Sequence, residues 1–161
     1  MTTLVREAAE GGAALLARLI RRSFRDVAER FGLTLQNCPA NPSNCTEDWV
    51  SAAMQKGVVY WVLESDGEPV GCAALERADG DACYLQRLAV LPQHRRQGYG
   101  AALVGHVLAQ AKGMGLRRVD IGIIAQDEGL RRWYEGLGFR AGERRRFDHL
   151  PFEVLLMSAP V

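Results

Sequence analysis

The residues best suited to meet an anion concentrate in one stretch, Pro92-Gln93-His94-Arg95-Arg96-Gln97-Gly98-Tyr99-Gly100-Ala101-Ala102-Leu103. An apolar run, Leu88-Ala89-Val90-Leu91, leads into it. Beyond the glycines Leu103, Val104, Val107, Leu108 and Ala111 recur at helical spacing, so Gly98 and Gly100 open an amphipathic helix. The first amides of a helix have no intrahelical partner and lie at the positive end of its dipole, which suits them to phosphate. Glycine matters there because a Cβ would hold the phosphate off the backbone. Arg95 and Arg96 add charge that does not titrate and can grip phosphate in a bidentate manner. The alternative is a helix that begins with glycine after a solvated basic turn. A Walker-type loop is excluded, because Ala101 and Ala102 stand where Lys and Ser or Thr are required. A dinucleotide fold would place its glycine turn after the first strand and would need a third close glycine.

The elements that must carry this loop follow from hydrophobic periodicity. Thr2 to Arg6 reads as a first strand and Glu7 to Gly12 as the turn out of it. Leu16, Leu19, Ile20, Phe24, Val27 and Phe31 recur at three and four, which predicts a helix over 13–31. Gly32 to Asn44 holds Pro39, Pro42, Asn37, Asn41 and Asn44 and reads as a long loop. Thr46 caps a second helix that reaches about Lys56, with Glu47 and Asp48 in its first turn. Val58 to Glu64 and Pro69 to Leu75 are apolar strands joined by the hairpin signal Ser65-Asp66-Gly67-Glu68. A second turn, Ala78-Asp79-Gly80-Asp81, leads into a strand over 83–91. After the glycine-opened helix come a strand over 117–124 and a helix over 128–137 that stacks Leu130, Trp133, Tyr134 and Leu137 on one face. Two last strands, 139–147 and 152–157, flank Asp148-His149-Leu150-Pro151. The expectation is an α/β (α+β) fold: a mixed, mostly antiparallel sheet of about seven strands covered by about four helices.

Composition narrows the classes. The chain has 161 residues, 48% hydrophobic and 24% charged, which suits one domain over residues 1–161 with a real core. Its 20 basic and 19 acidic residues leave a net charge of +1, so no overall field draws nucleic acid or an anionic membrane. It has neither a spanning apolar run nor an apolar signal core at Met1 to Glu7, and the expected location is the cytoplasm. Cys72 and Cys83 fall inside strands and read as buried thiols. Cys38 and Cys45 flank the long loop and could pair under oxidation. No second pair of spaced Cys or His accompanies them, so no metal is expected.

Arg95-x-x-Gly98-x-Gly100, directly after the strand ending Leu88-Ala89-Val90-Leu91-Pro92, resembles the acyl-coenzyme A pyrophosphate loop of the GNAT superfamily of N-acetyltransferases. A second match, Trp133-Tyr134-Glu135-Gly136-Leu137-Gly138-Phe139, is similar to that family's helix ending in Tyr-Glu-x-Leu-Gly-Phe. The two occur in the family's order and at its usual separation. The resemblance implies a GNAT-like fold and acetyl transfer from acetyl-CoA to a primary amine in a ternary complex. Main-chain groups of Leu88, Ala89 and Val90 would hold the pantetheine arm. The loop Arg95, Arg96, Gln97, Gly98, Tyr99, Gly100 and Ala101 would hold the pyrophosphate.

Tyr134 fits the family's general acid, which donates to the thioester sulfur and protonates the departing thiolate. Its alternative is an amphipathic core Tyr. Asp127 stands where the family often has an Asn that touches the cofactor arm. Many relatives carry a Glu on the fourth strand as base, and here Gln86 occupies that position. Glu76, Glu64 and Asp127 are then the carboxylates to weigh as bases, acting through water. Gln36, Asn37 and Asn41 of the long loop, with Gln86, are candidate acceptor contacts. The implied partner is a small-molecule or peptide amine, with no nucleic acid and no membrane, and a homodimer remains open. The rival function is a catalytically silent acyl-CoA-binding sensor or scaffold, prompted by Gln86.

Overall fold

The structure, a computed structural model, describes residues 2–161. In chain order the elements are β1 (Thr3–Glu7), α1 (Ala13–Arg30), α2 (Glu47–Gln55), β2 (Val59–Ser65), β3 (Glu68–Arg77), β4 (Ala82–Val90), α3 (Tyr99–Gly113), β5 (Arg118–Ile124), α4 (Glu128–Gly136), β6 (Arg140–Arg146) and β7 (Glu153–Pro160). Single 3₁₀ turns occupy Glu10–Gly12, Pro42–Asn44 and Pro92–His94. The sheet runs β1-β2-β3-β4-β5-β7-β6. Every pairing is antiparallel except β4 with β5, which is parallel. This is the mixed seven-stranded, four-helix architecture expected from the sequence. Ends shift by a residue or two, and β7 runs on to Pro160, where Ser158 Oγ donates to Asp120 Oδ1 at 2.7 Å and ties the extra turn of ladder to β5.

The continuous apolar runs of β2 and β3 arise because both faces of the sheet are covered. Trp61, Leu63, Val70, Ala73 and Leu75 pack on one side with Leu103, Val104 and Val107 of α3. Tyr60, Val62, Cys72 and Ala74 pack on the other with Leu16 and Ile20 of α1 and Val50 of α2. The β2–β3 turn has Asp66 at φ 51° and Gly67 at φ 81°, the left-handed pair that matches strand twist. Thr46 Oγ1 accepts from the Trp49 amide at 3.3 Å and starts α2.

The four cysteines are free, buried thiols. Cys38 belongs to a small cluster with Ala28 and Leu33. Cys45 belongs to the α1/α2 core, so the long loop closes on two separate apolar anchors rather than a cross-link. The β6 strand lies at the sheet edge, exposed throughout, and its Arg140, Arg144, Arg145 and Arg146 blunt that edge with charge.

Candidate active site

The parallel contact between β4 and β5 covers only Ala82 with Arg118, Cys83 with Val119 and Tyr84 with Asp120. Past Tyr84, β4 stays with β3 as far as Val90, while β5 stays with β7 as far as Ile124, so the two strands part. A cleft of about 790 Å³ fills the wedge. It runs from the start of α3, past Tyr134 of α4, to Phe24 and Val27 of α1.

A β-bulge shapes the cleft's wall. Cys72 faces Ala89 and Ala74 faces Gln86, so Ala73 stands opposite two residues, Arg87 and Leu88. Arg87 takes up the extra residue at φ 53°, a left-handed conformation unusual for its type. Alternation breaks there. Leu85 and Leu88 pack on the α3 side. Arg87 turns to the opposite side, beside Tyr60, Cys45 and Cys72. Burial pushes the Tyr60 hydroxyl's pKa up, and the Arg87 guanidinium opposes that rise.

The glycine loop is built as a main-chain donor. Gly98, at φ 83°, sits at the N-cap of α3 with no side-chain cap. The amides of Arg96, Gln97, Gly98, Gly100 and Ala101 have no backbone partner among the described residues, and the helix ladder begins with Ala102 donating to Gly98 at 3.0 Å. These orphan donors fit a pyrophosphate. The two glycines, however, meet different demands. A Cβ on Gly98 would touch nothing within 4 Å, so glycine is needed there for the backbone angle. A Cβ on Gly100 would lie 3.2 Å from the Trp133 ring, so that glycine makes room for α4.

Side chains of the loop also divide. Arg95 turns inward: Nε donates to Val90 O at 3.2 Å, Nη2 to Ser23 O at 2.7 Å, and the guanidinium clasps Asp26 of α1. The clasp lowers the Asp26 pKa below its ordinary value. Arg95 thus pins the loop to α1, and Arg96, exposed at the rim with φ 64°, is the cation of the pair without an acidic partner among the described residues. Tyr99 points into the core, where its hydroxyl donates to Ser65 Oγ at 3.0 Å. Leu88, Ala89, Val90 and Ala101 line the cleft, and Gln97 does not.

Tyr134 lies at the floor, 6% exposed, with Trp133 at 4.9 Å and Phe139 at 5.3 Å in edge contacts. Burial pushes its pKa well above the ordinary phenol value, so it remains a proton donor at any physiological pH. The stacked face expected for α4 is realised differently: Tyr134 is its buried residue, while Trp133 is 37% exposed and lines the cleft.

The carboxylates sort by position. Asp127 is buried at the rim of the cleft, accepts from the Leu130 amide at 3.2 Å as the cap of α4, and faces Arg30 Nη1 at 3.5 Å. Glu64 is paired with Arg6 on β1 and does not line the cleft. Glu76 accepts from Gln86 Nε2 at 3.4 Å, and Gln86 lines the cleft. In the long loop, Asn41 and Pro42 reach the cleft, whereas Gln36 and Asn37 do not. Asn37 instead closes its own turn, accepting from the Thr34 amide at 2.7 Å and donating to Gly32 O at 2.8 Å.

Among the cleft residues that the sequence reading did not assign to the site are Arg87 and Trp133. The bulge that redirects Arg87 leaves no mark in a run such as Leu85-Gln86-Arg87-Leu88, which reads as ordinary strand. The closeness of Trp133 to Gly100 requires the packing of α4 on α3 to be known.

A family model, the acetyltransferase (GNAT) family, matches residues 26–139. An uncharacterized N-acetyltransferase of Escherichia coli K12, YjgM, is 32% identical over 123 residues, 74% of this chain and 74% of that protein. Among solved structures, the ribosomal-protein-S18-alanine N-acetyltransferase of Escherichia coli superposes with a TM-score of 0.77 at 18% identity, over 99% of this chain and 94% of that one. The PaiA N-acetyltransferase of Thermoplasma acidophilum, solved in complex with coenzyme A, superposes with a TM-score of 0.76 at 13% identity over the whole of both chains. The chain belongs to the GNAT family of acetyltransferases, whose co-substrate is acetyl-CoA.

Proposed function

We propose that the protein transfers the acetyl group of acetyl-CoA directly to a primary amine within a ternary complex, with Tyr134 as general acid. One observation carries this reading: a buried, protonated phenol lies in the wedge between β4 and β5, in the same cleft as the orphan amides that open α3. The amides hold the pyrophosphate, with Arg96 as an added cation. Main-chain groups of Leu88, Ala89 and Val90 hold the pantetheine arm on the strand side that β5 has vacated.

In the reaction the neutral amine nitrogen attacks the thioester carbonyl carbon. The C–N bond forms and the C–S bond breaks; the thiolate takes the phenolic proton of Tyr134, and the proton that the nitrogen sheds on becoming an amide leaves to water, from which the phenolate is reprotonated. An amine of ordinary pKa, about 10.4, must first lose a proton, at a cost of roughly 4–5 kcal/mol at pH 7. Glu76 is the carboxylate placed to receive it through water, because Gln86 bridges it to the cleft. Gln86 itself cannot take a proton and serves to orient that water. No described helix is long and apolar enough to cross a membrane.

The test is thiol release from acetyl-CoA across a panel of amines. Release of one thiol per acetylated amine, saturable in both substrates, supports the reading. Tight binding of acetyl-CoA with no release for any amine refutes it in favour of a sensor.

A further inference from the structure

We infer that the acceptor carries a carboxylate as well as its amine, and that Arg87 is the residue that grips it. The inference rests on the acetyl-transfer reading above and names the acceptor class for that same cleft.

Arg87 is half-buried and lines the cleft. No carboxylate stands within ion-pair distance of it among the described residues. Its neighbours are neutral: the Tyr60 hydroxyl, whose burial keeps it protonated, and the thiol of Cys72, pushed up to about 12. A partly desolvated guanidinium without an anion is costly, and a bound carboxylate removes the cost through two parallel N–H···O bonds.

The backbone reinforces this. Arg87 is held at φ 53° by the bulge, a conformation disfavoured for a residue with a Cβ. Strain of this kind persists where a side chain must be aimed. Without the bulge, Arg87 would alternate with Gln86 and point beneath α3. With it, Gln86 and Arg87 are consecutive residues on the α1 side of the sheet.

The opposite charge is placed to match. Glu76 reaches the cleft through Gln86, on the side where an ammonium must lose its proton. Asp127, the one carboxylate among the described residues lining the cleft, is engaged by Arg30 and the α4 amide. A second cation on the acceptor would therefore meet Arg87 and find no free anion. An amino carboxylate satisfies both ends, and the remaining wall of Phe24, Val27, Leu150 and Phe152 is apolar enough to take its carbon skeleton.

The experiment compares the twenty common amino acids with their carboxamides, matched one to one, as acceptors for the full-length protein. For the preferred acceptor, the acid should exceed its amide in kcat/KM by about 10- to 100-fold, the value of a charge-assisted bidentate contact. Arg87→Asn is the variant of choice, because Asn tolerates a left-handed angle and removes the charge. It should collapse the acid-to-amide ratio towards one. Arg87→Lys, which retains a point charge without the fork, should restore part of it. Binding of acetyl-CoA by each variant certifies the fold. Wild-type turnover of amides or diamines in preference to acids overturns the inference and leaves acetyl transfer standing. An acid-to-amide ratio that survives Arg87→Asn also overturns it. Absence of turnover with every amine refutes acetyl transfer, and the acceptor assignment with it.

Discussion

The α3 end of the cleft is lined by main chain whose amides have no backbone partner among the described residues, at Arg96, Gly98, Gly100 and Ala101. The α1 end is lined by side chains: Asn41, Gln86, Arg87 and, between the ends, Tyr134. A site made of backbone depends on a few positions where conformation is fixed, such as Gly98 at φ 83°. It tolerates change elsewhere, as Arg95 and Tyr99 illustrate by turning into the protein. A site made of side chains depends on which way each strand residue points, and one bulge decides that for Arg87.

The largest expected effect separates chemistry from binding. Tyr134→Phe should lower kcat by about 10²- to 10⁴-fold, since the donor matters most as sulfur gains charge. A steady-state assay showing wild-type turnover would return Tyr134 to a packing role. Next, Gly98→Val places a β-branched residue at φ 83° and turns the loop amides away. Acetyl-CoA affinity should fall about 10- to 100-fold, as loss of one or two charge-assisted bonds would give. Calorimetry on a folded variant that showed unchanged affinity would detach the phosphate from this loop.

Smaller effects sharpen the other end. Glu76→Gln should reduce kcat/KM by about tenfold, with acetyl-CoA affinity retained. An unchanged kcat/KM would leave solvent as the proton acceptor. Asp26→Asn should cost less than about 1 kcal/mol at pH 7, because the pair is substantially exposed. The sign is fixed by the lowered pKa of Asp26. Its contribution is complete above the ordinary value of 3.8 and fades as pH falls through the lower folded value, so the variant's stability should be flatter in acid. Smallest of all, Asn37→Ala should leave every acceptor KM unchanged, because its hydrogen bonds go to its own turn.

The elements were legible because their signals are local. Asp66-Gly67 declares a hairpin, Thr46 declares a helix start, and the spacing from Leu103 to Ala111 declares a buried face. The glycine loop was legible for the same reason. The α1 end was not. Asn37 and Asn41 are alike as residue types, and only the path of the loop sends one to its own turn and the other to the cleft. That the Arg95 side chain clasps Asp26, a residue far away in sequence, has no local signal either. Glu76, Glu64 and Asp127 read as carboxylates of equal standing until β3 sets Glu76 beside Gln86, which lines the cleft. Each of these depends on contacts between strands or helices that no local pattern encodes.

The division of the cleft is tested most directly by titrating acetyl-CoA into Gly98→Val and Tyr134→Phe in parallel by calorimetry. The account predicts that Gly98→Val loses about tenfold or more in affinity while Tyr134→Phe binds within about threefold of the wild type. Equal affinities in the two variants, whether both retained or both lost, would contradict it.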